Sequence, residues 1–175
     1  MSAIKIVEYQ SWHQPYFEKL NRAWIEKYFE MEERDIAVLT RPEEQLIESG
    51  GAVIIAEYDG VVAGVAGLKK VDDTTYEFTK MAVDENYRRR GIAEQICYAS
   101  FLKAKELGAQ TVILYSNSEL TPALAMYEKI GFRHLPVDNI YYKRSDVKMS
   151  ISIEDAMRSV ERSYSLANAW RDVEC

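Results

Sequence analysis

Residues 77–93 read Glu-Phe-Thr-Lys-Met-Ala-Val-Asp-Glu-Asn-Tyr-Arg-Arg-Arg-Gly-Ile-Ala. Their first half alternates like a β-strand, a polar loop then leads to Gly91, and a helical pattern begins at once. A helix N-terminus presents backbone N–H groups without intrahelical partners, and the helix dipole favours negative charge there. Glycine lets a ligand approach the backbone closely, and arginine binds phosphate oxygens. The segment therefore predicts a pyrophosphate-binding turn between a strand and a helix.

Two other phosphate-binding loops are excluded by their spacing. The sequence contains neither the G-x-x-x-x-G-K-[ST] pattern of nucleotide-binding P-loops nor the G-x-G-x-x-G pattern of dinucleotide-binding folds. The consecutive arginines Arg88, Arg89 and Arg90 are also compatible with a solvated basic turn. The strand before them and the helix after them favour the anion-binding interpretation.

The rest of the chain predicts one mixed α/β domain. Alternation and β-branched content predict strands, and apolar residues at three- and four-residue spacing predict helices. The predicted strands are 3–9, 52–58, 61–70, 75–83, 111–115, one that begins at Phe132, and 141–151. The predicted helices are 14–30, 41–49, 91–107, 122–130 and 153–169. Asp59 and Gly60 stand between two apolar runs and predict a hairpin turn.

Composition and charge limit the class of protein. With 175 residues, 47% hydrophobic and 29% charged, the chain has the content of one soluble globular domain. The net charge of −6 argues against nucleic acid as the main partner, because binding phosphates requires a basic surface. No apolar run is long enough for a membrane helix, and the N-terminus lacks the apolar core of a signal peptide. We therefore expect a cytoplasmic protein that does not bind membranes.

Cysteine and histidine show no metal-binding pattern. Cys97 and Cys175 have no metal or redox spacing, and Cys97 falls within a helical pattern as a small apolar residue. His13 and His134 are far apart in the sequence. The sequence thus predicts neither a metal site nor a disulfide, which fits a reducing compartment.

The motifs of the central segment resemble those of a known enzyme family. Residues 88–93, Arg-Arg-Arg-Gly-Ile-Ala, match the [QR]-x-x-G-x-[GA] signature of the GNAT N-acetyltransferases. Residues 80–83 resemble the family's fourth strand, and residues 125–132, Ala-Met-Tyr-Glu-Lys-Ile-Gly-Phe, are similar to its Leu-Tyr-Glu-Lys-x-Gly-Phe element. The signature alone is weak, but both elements in order, separated by a helix and a buried strand, are strong. The resemblance covers residues 4–151.

The resemblance implies a GNAT fold, in which a mixed sheet of six or seven strands is flanked by helices and strands four and five splay to hold coenzyme A. Residues 1–151 would form this acetyltransferase domain, and residues 152–175 a C-terminal helical extension. The implied enzyme transfers an acetyl group from acetyl-CoA to a primary amine of a small molecule. It does so by direct attack in a ternary complex, with acetyl-CoA as co-substrate and without a metal.

The resemblance also implies roles for individual residues. In such proteins the pantetheine arm pairs with the backbone of the fourth strand, as an added strand pairs with a sheet edge. The residues implied to bind coenzyme A are Met81, Ala82, Val83, Arg88, Arg89, Arg90, Gly91, Ile92, Ala93 and Asn117. Tyr127 matches the family's general acid, which protonates the departing thiolate; the alternative is a helix tyrosine that packs in the core. The interval from Asn117 to Tyr127 is longer than is common in the family, so residues 118–121 resemble an insertion.

An amine must lose a proton before it attacks a thioester, and Glu77 is the candidate base. By strand alternation Glu77, Thr79, Met81 and Val83 share one face, which places the carboxylate close to the cleft. The alternative is a carboxylate near the exposed start of the strand that is satisfied by a turn or a lysine. Lys80 is expected on the opposite face, paired with an acidic side chain.

Substrate selection in this fold usually involves the first helices and their loop, here residues 21–40. Arg22 and Tyr28 are candidates, with Trp24 and Arg34, for holding the carboxylate and the apolar body of an amino-acid-like substrate. Packing of Trp24 and Tyr28 on the sheet is the alternative. Two other functions stay open: a non-catalytic coenzyme A-binding sensor or scaffold, and an acetyltransferase of protein N-termini or lysines, which would need an open groove.

The predicted C-terminal helix carries an apolar stripe that includes Ala156, Val160 and Tyr164. An isolated helix of this length is marginal in water, so the stripe must be buried against its own domain or a second subunit. We favour the second subunit, because the domain has a complete core before Ile151 and because Tyr164 and Trp170 suit an interface. This interpretation predicts a homodimer.

Overall fold

The computed structural model describes residues 3–137 and 143–173, with side chains up to residue 167. Its strands are β1 (Ile4–Glu8), β2 (Ala52–Tyr58), β3 (Val61–Lys70), β4 (Thr75–Val83), β5 (Thr111–Ser116), β6 (Arg133–Leu135) and β7 (Val147–Ser152). Its helices are α1 (Gln14–Tyr28), α2 (Glu33–Thr40), α3 (Ile92–Glu106), α4 (Thr121–Ile130) and α5 (Ile153–Val173). Most of these elements lie close to the predicted bounds.

The strands form one seven-stranded mixed sheet in the order β1-β2-β3-β4-β5-β7-β6, which confirms the predicted fold class. Among the residues that the structure describes, β4 and β5 pair in parallel, and all other neighbouring strands pair antiparallel. The parallel pairing covers only the start of each strand, from Thr75 opposite Thr111 to Glu77 opposite Ile113. Beyond Glu77 no pairing joins the described residues of the two strands, so their carboxyl ends diverge.

Helices cover both faces of the sheet. On one face α1 and α2 contribute Phe17, Ile25 and Leu39 to an apolar core. On the other face α3, α4 and α5 form a second core that contains Ile96 and Phe101. Burying one large apolar side chain stabilises the fold by about 1.5–3 kcal/mol. The two cores therefore hold the central strands rigidly between two helical layers.

β4 contains a bulge at Lys80, whose φ of +54° lies in the left-handed region. The register against β3 shifts at this point, because Thr79 lies opposite Gly67 whereas Ala82 lies opposite Val65. One extra residue has thus entered β4. An extra residue in a strand moves the following side chains to the other face of the sheet.

The bulge overturns the prediction that Glu77, Thr79, Met81 and Val83 share one face. Before the bulge, Thr79 lies on the α1 side, since a side-chain carbon at Gly67 would contact both Thr79 and Leu46. After it, Met81 and Val83 pack on the core of the α3 side. Glu77 shares the face of Thr79 by alternation. The side chains of Glu77 and Thr79 therefore lie on the α1 side of the sheet, whereas those of Met81 and Val83 lie on the α3 side.

The region between α1 and β2 differs from the prediction. The predicted helix over 41–49 is a single π-helical turn at Glu43–Ile47, and α2 precedes it. α2 begins with a capping box in which the side chains of Glu32 and Asp35 each accept a hydrogen bond from the other's backbone N–H. Carboxylates replace the usual serine or threonine of this box, so the sequence lacks the usual signature of a helix start. Of the predicted strand 141–151, residues 141 and 142 lie outside the described residues, and β7 begins at Val147.

The first half of α5 packs on its own domain. Ala156 and Val160 are buried in the core on the α3 side. Further along the helix, Tyr164 and Leu166 are exposed by 61% and 65%, and the side chain of Trp170 lies outside the described residues. The core of the α3 side is therefore completed by this helix, contrary to the premise that it is complete before Ile151. The homodimer stays a prediction. The exposed apolar surface on the second half of α5 is the part of the helix that such a dimer would bury.

Candidate active site

A cavity of about 660 Å³ occupies the opening between the carboxyl ends of β4 and β5. Among the site residues predicted from the sequence, those that line it are Trp24, Tyr28, Glu77, Met81, Ala82, Val83, Arg88, Arg89, Ala93, Asn117 and Tyr127. They come from α1, β4, the turn before α3, the end of β5 and α4. The fold thus gathers distant parts of the chain around one cavity. Arg22, Arg90, Gly91 and Ile92 do not line it.

The turn before α3 has the geometry of an anion site. Gly91 is the N-cap residue with φ of +78°, and a side-chain carbon there would have no atom within 4 Å. The backbone N–H groups that follow Gly91 belong to the first turn of α3, and N–H groups in the first turn of a helix have no intrahelical acceptor. Arg88, Arg89 and Ala93 line the cavity on either side of this turn. A diphosphate has room to lie against these N–H groups, with guanidinium groups beside it.

Arg90 contacts aromatic rings instead of the cavity. Its guanidinium carbon lies 4.7 Å from the ring centre of Tyr58 and 5.3 Å from that of Tyr87. Cation–π contacts of this kind stabilise by about 0.5–1 kcal/mol at exposed sites. Arg90 therefore anchors the turn to the end of β2, and this geometry does not support its predicted contact with coenzyme A.

Tyr127 lines the cavity from α4 and is 7% exposed. Its ring packs edge-on against Phe78 and Phe132, with ring centres 6.3 and 5.7 Å apart. Its hydroxyl has no hydrogen-bond partner among the described residues. Burial, and to a smaller extent the thiol of Cys97, raises the pKa of Tyr127 above its ordinary value of 10. The phenol is therefore held rigidly and keeps its proton at neutral pH.

Glu77 lies in the cavity wall where the pairing of β4 with β5 ends. It is 5% exposed, so it is not at an exposed start of the strand. Burial raises the pKa of Glu77 above the ordinary carboxyl value, and the charges of Lys80 and Lys69 and a hydrogen bond with Thr79 oppose that rise. A carboxyl group with a raised pKa is a stronger base than an exposed one, once it is ionised.

Asn117 lines the cavity, but its side chain is engaged in the surrounding loops. Its Nδ2 donates to the backbone oxygen of Arg144 at 2.5 Å, and its Oδ1 accepts from the backbone N–H of Glu119 at 2.8 Å. Asp146 accepts from both the backbone N–H and the hydroxyl of Ser118, at 2.8 and 2.6 Å. The predicted insertion after β5 is thus tied to the segment that leads into β7. Asn117 shapes this loop, and its contact with coenzyme A stays a prediction.

The end of α1 contributes an aromatic wall to the cavity. Trp24, Tyr28 and Phe29 all line it, and Trp24 meets Phe29 edge-on with ring centres 6.3 Å apart. Arg22 lies elsewhere, because its guanidinium pairs with Glu18 and Glu26 along the surface of α1. Of the four candidate substrate residues, the structure brings Trp24 and Tyr28 to the cavity, whereas Arg22 and Arg34 do not line it.

A charged cluster lies beside the cavity and connects three elements. Asp35 of α2 is fully buried and accepts two hydrogen bonds from the Arg144 guanidinium, both of 2.7 Å. The Nζ of Lys80 lies 3.1 Å from Oδ1 of Asp35, which confirms the predicted pairing of Lys80 with an acidic side chain. The prediction that Lys80 lies on the face opposite Glu77 is wrong, because the left-handed backbone at the bulge directs Lys80 to the α1 side, where α2 lies. Glu32 accepts from Arg144 at 3.0 Å. Arg144 and Lys80 also line the cavity; sequence analysis missed Arg144 because no motif marks it.

In residues 3–137 and 143–173, no three His, Cys, Asp or Glu side chains are grouped so that they could hold a metal ion. The exposed His134 instead lies 2.8 Å from a carboxylate oxygen of Glu128. None of the helices in this part of the chain is both long and apolar enough to cross a membrane.

Comparisons with known proteins identify the family. The model of the acetyltransferase (GNAT) family matches residues 7–132. The uncharacterised N-acetyltransferase YvbK of Bacillus subtilis is 28% identical over 113 residues, which are 63% of this chain and 73% of that protein. The crystal structure of a GNAT acetyltransferase from Staphylococcus aureus superposes with a TM-score of 0.76 at 20% identity, over 86% of this chain and 99% of the other. The protein yncA of Salmonella typhimurium, solved with acetyl-CoA, gives a TM-score of 0.69 at 15% identity, over 86% and 94% of the two chains.

The match to the family model spans most of the chain, and it contains β4, the turn before α3 and α4, which together surround the cavity. At such low identities the solved structures show the fold alone. Fold, motif and family model agree. The chain therefore belongs to the acetyltransferase (GNAT) family and is an acyl-CoA N-acyltransferase.

Proposed function

We propose that this enzyme transfers the acetyl group of acetyl-CoA to a primary amine of a small molecule, by direct attack in a ternary complex. The observation that carries the proposal is the placement of Glu77 and Tyr127 around one cavity. One is a buried carboxyl group of raised pKa and the other a buried phenol that stays protonated. These are the two proton-transfer groups that aminolysis of a thioester requires.

The proposed reaction needs no covalent enzyme intermediate. Glu77 accepts a proton from the substrate ammonium, and the neutral amine attacks the thioester carbonyl to form a C–N bond. The tetrahedral intermediate then collapses with cleavage of the C–S bond, and Tyr127 donates its proton to the leaving thiolate. The nitrogen of the new amide releases its extra proton to solvent, from which Tyr127 is protonated again, and Glu77 returns the first proton to solvent, so that one proton is released in each turnover. Burial raises the pKa of the Cys97 thiol, and a buried protonated thiol is a poor nucleophile. Direct attack is therefore favoured over acyl transfer through Cys97.

A small acceptor is favoured over a protein by contacts that join two segments of the chain next to the cavity residue Arg144. Glu32, at the start of α2, accepts hydrogen bonds from the backbone N–H of Lys143 at 3.2 Å and from the side chain of Arg144 at 3.0 Å. A peptide would need an open groove between these two segments, and the contacts hold them together. The aromatic wall of Trp24, Tyr28 and Phe29 suits an acceptor with an apolar body, whether amino-acid-like or another amine.

A non-catalytic coenzyme A sensor is the alternative from another class. A sensor has no need of a proton donor or a buried base, and its chain could lose both without consequence. This chain places both groups at the cavity, which favours turnover.

The proposal is tested by release of thiol from acetyl-CoA in the presence of a panel of acceptors: amino acids, polyamines, aminoglycosides and short peptides. We expect turnover with at least one small primary amine and none with the peptides. Preferential turnover of peptides would transfer the assignment to protein acetylation. Tight binding of acetyl-CoA without turnover of any acceptor in the panel would support the sensor.

The anion site predicts a second measurable effect. In a Gly91→Asp variant, a carboxylate occupies the open space in which the pyrophosphate would lie against the first turn of α3. We expect acetyl-CoA to bind at least about tenfold more weakly, measured by calorimetry, which corresponds to about 1.4 kcal/mol.

The matched control for this variant is Gly108→Asp. Gly108 lies at the other end of α3, also has a positive φ (+96°), and also has open space around it. It places the same side chain in a comparably strained backbone away from the cavity, so acetyl-CoA affinity should not change. Equal affinities of the two variants would show that the diphosphate does not lie on the turn at Gly91.

A further inference from the structure

The bulge in β4 combines an unfavourable backbone conformation with a buried charge. Lys80 adopts φ of +54°, which is uncommon for a residue with a Cβ. Its side chain is 3% exposed, and lysine is almost never buried to this extent without a partner. Strained conformations persist only where the surrounding structure imposes them. The conformation at Lys80 therefore needs a specific constraint.

Asp35 supplies that constraint from the neighbouring helix. Its Oδ1 lies 3.1 Å from the Nζ of Lys80, and its two oxygens receive the forked hydrogen bonds of Arg144 at 2.7 Å. Its Oδ2 also accepts from the backbone N–H of Glu32 at 2.9 Å, within the capping box of α2. Three partners thus fix the position of Asp35. A lysine that pairs with this carboxylate must direct its side chain toward α2.

The bulge lies where β4 passes from its paired part to the cavity wall. Pairing with β5 ends at Glu77, three positions before the bulge, and Met81 and Val83 follow it as cavity residues. A bulge bends a strand and redirects the groups beyond it. The backbone that faces the opening is therefore set by the conformation at Lys80.

We propose that Lys80 and Asp35 are positioning residues: their ion pair holds the left-handed bulge of β4 and thereby orients the strand edge on which acetyl-CoA binds. Neither residue takes part in the proton transfers. This inference rests on the use of acetyl-CoA and not on the identity of the acceptor amine. The positioning role can therefore be wrong while the proposed function is right, and the proposed acceptor can be wrong while the positioning role is right.

Two substitutions of Lys80 separate the backbone from the charge. Lys80→Met keeps the methylene chain and the Cβ but removes the ion pair, so the backbone has no reason to remain in the left-handed region. Lys80→Gly also removes the ion pair, yet glycine adopts positive φ without steric cost. In both variants Asp35 keeps its hydrogen bonds to Arg144, and Glu77 loses the same nearby charge, so the two buried carboxyl groups are affected alike in the two variants.

The readout is the calorimetric affinity for acetyl-CoA, together with the melting temperature of each variant. We expect Lys80→Met to bind acetyl-CoA at least fivefold more weakly than the wild type, and Lys80→Gly to bind within twofold of it. A merely structural lysine would lower the melting temperature of both variants without this difference in affinity. Wild-type affinity of Lys80→Met, or equal weakening in both variants, would overturn the proposal.

Should Lys80→Met not fold, Asp35→Asn measures the same pair from the other side. Asparagine keeps the size of the side chain and can still accept from Arg144, but it no longer attracts the ammonium of Lys80. The same loss of at least fivefold in acetyl-CoA affinity is expected in the folded protein. An Asp35→Asn variant that binds acetyl-CoA as the wild type does would equally overturn the proposal.

Discussion

Replacement of Tyr127 by Phe is expected to lower kcat by about 10²- to 10⁴-fold, the range usual for loss of a general acid, while acetyl-CoA affinity changes little. The phenol sits in a buried, edge-on aromatic environment, and its hydroxyl has no hydrogen-bond partner among the described residues. Phe preserves those ring contacts and removes only the proton donor. An interaction made only in the transition state lowers kcat without weakening ground-state binding.

Tyr76→Phe is the matched control for this experiment. Tyr76 is also buried on the α3 side, and its hydroxyl donates to the backbone oxygen of Leu107 at 3.3 Å, away from the cavity. Removing it should cost about 1 kcal/mol of stability, as for one hydrogen bond, and leave kcat unchanged. A Tyr127→Phe enzyme with wild-type kcat would show that the thiolate leaves unaided or takes its proton from water.

The parts of the fold that could be predicted from the sequence are those that depend on local signals. The hairpin at Asp59 and Gly60 has positive φ at both residues (+49° and +82°), as a two-residue turn of this kind requires. Gly91 and Gly108 flank α3 for similar local reasons. Apolar runs on either side of the turn at Asp59 and Gly60 located β2 and β3 at their observed bounds, because both strands are buried on both faces of the sheet, and alternation located β4.

The parts that were missed depend on contacts distant in sequence. The bulge at Lys80 is stabilised by Asp35, which lies 45 positions earlier in the chain, and no alternation rule can detect it. α2 was missed because its capping box is made of carboxylates, which also serve Arg144. Arg22 resembled a substrate residue in sequence, but two glutamates one helical turn away satisfy its charge.

The residues of the candidate site also fall into a group that local sequence signals predict and a group that only the folded structure brings together. The turn at Gly91 and the position of Tyr127 follow from short motifs, and the structure brings both to one region. The acceptor side has no motif, since its wall is assembled from the end of α1, from the bulged part of β4 and from the segment before β7. Residues such as Phe29 and Arg144 become candidates only once these elements are placed together.

Glu77→Gln should lower kcat by about 10²- to 10⁴-fold and remove the acidic limb of its pH profile. Glu77 must be ionised to accept the proton of the ammonium, so wild-type activity falls as pH drops through its pKa. Burial raises that pKa, which places the limb above the range of an ordinary carboxyl group. The glutamine side chain has the same shape but no basic oxygen, so the residual rate of the variant should lack this limb.

The control is Glu119→Gln, which exchanges an exposed carboxylate that also lines the cavity. If the acidic limb reported only the net charge around the cavity, the two variants would shift it alike. If Glu77 is the base, Glu119→Gln should leave the limb in place. An unmoved limb in Glu77→Gln would assign the base to another group or to the substrate itself.

Stability provides an independent test of the same residue. Because the pKa of Glu77 is raised on folding, the folded state keeps a proton over a pH range in which the unfolded chain has lost it. The stability of the wild type therefore falls as pH rises through that range, whereas the amide of the Glu77→Gln variant has no proton to lose. Above the ordinary carboxyl pKa of about 4.3, the stability of this variant relative to the wild type should increase with pH, measured by chemical denaturation. A constant difference across this range would mean that Glu77 is not desolvated in the folded enzyme, and the argument for a strong base would fail with it.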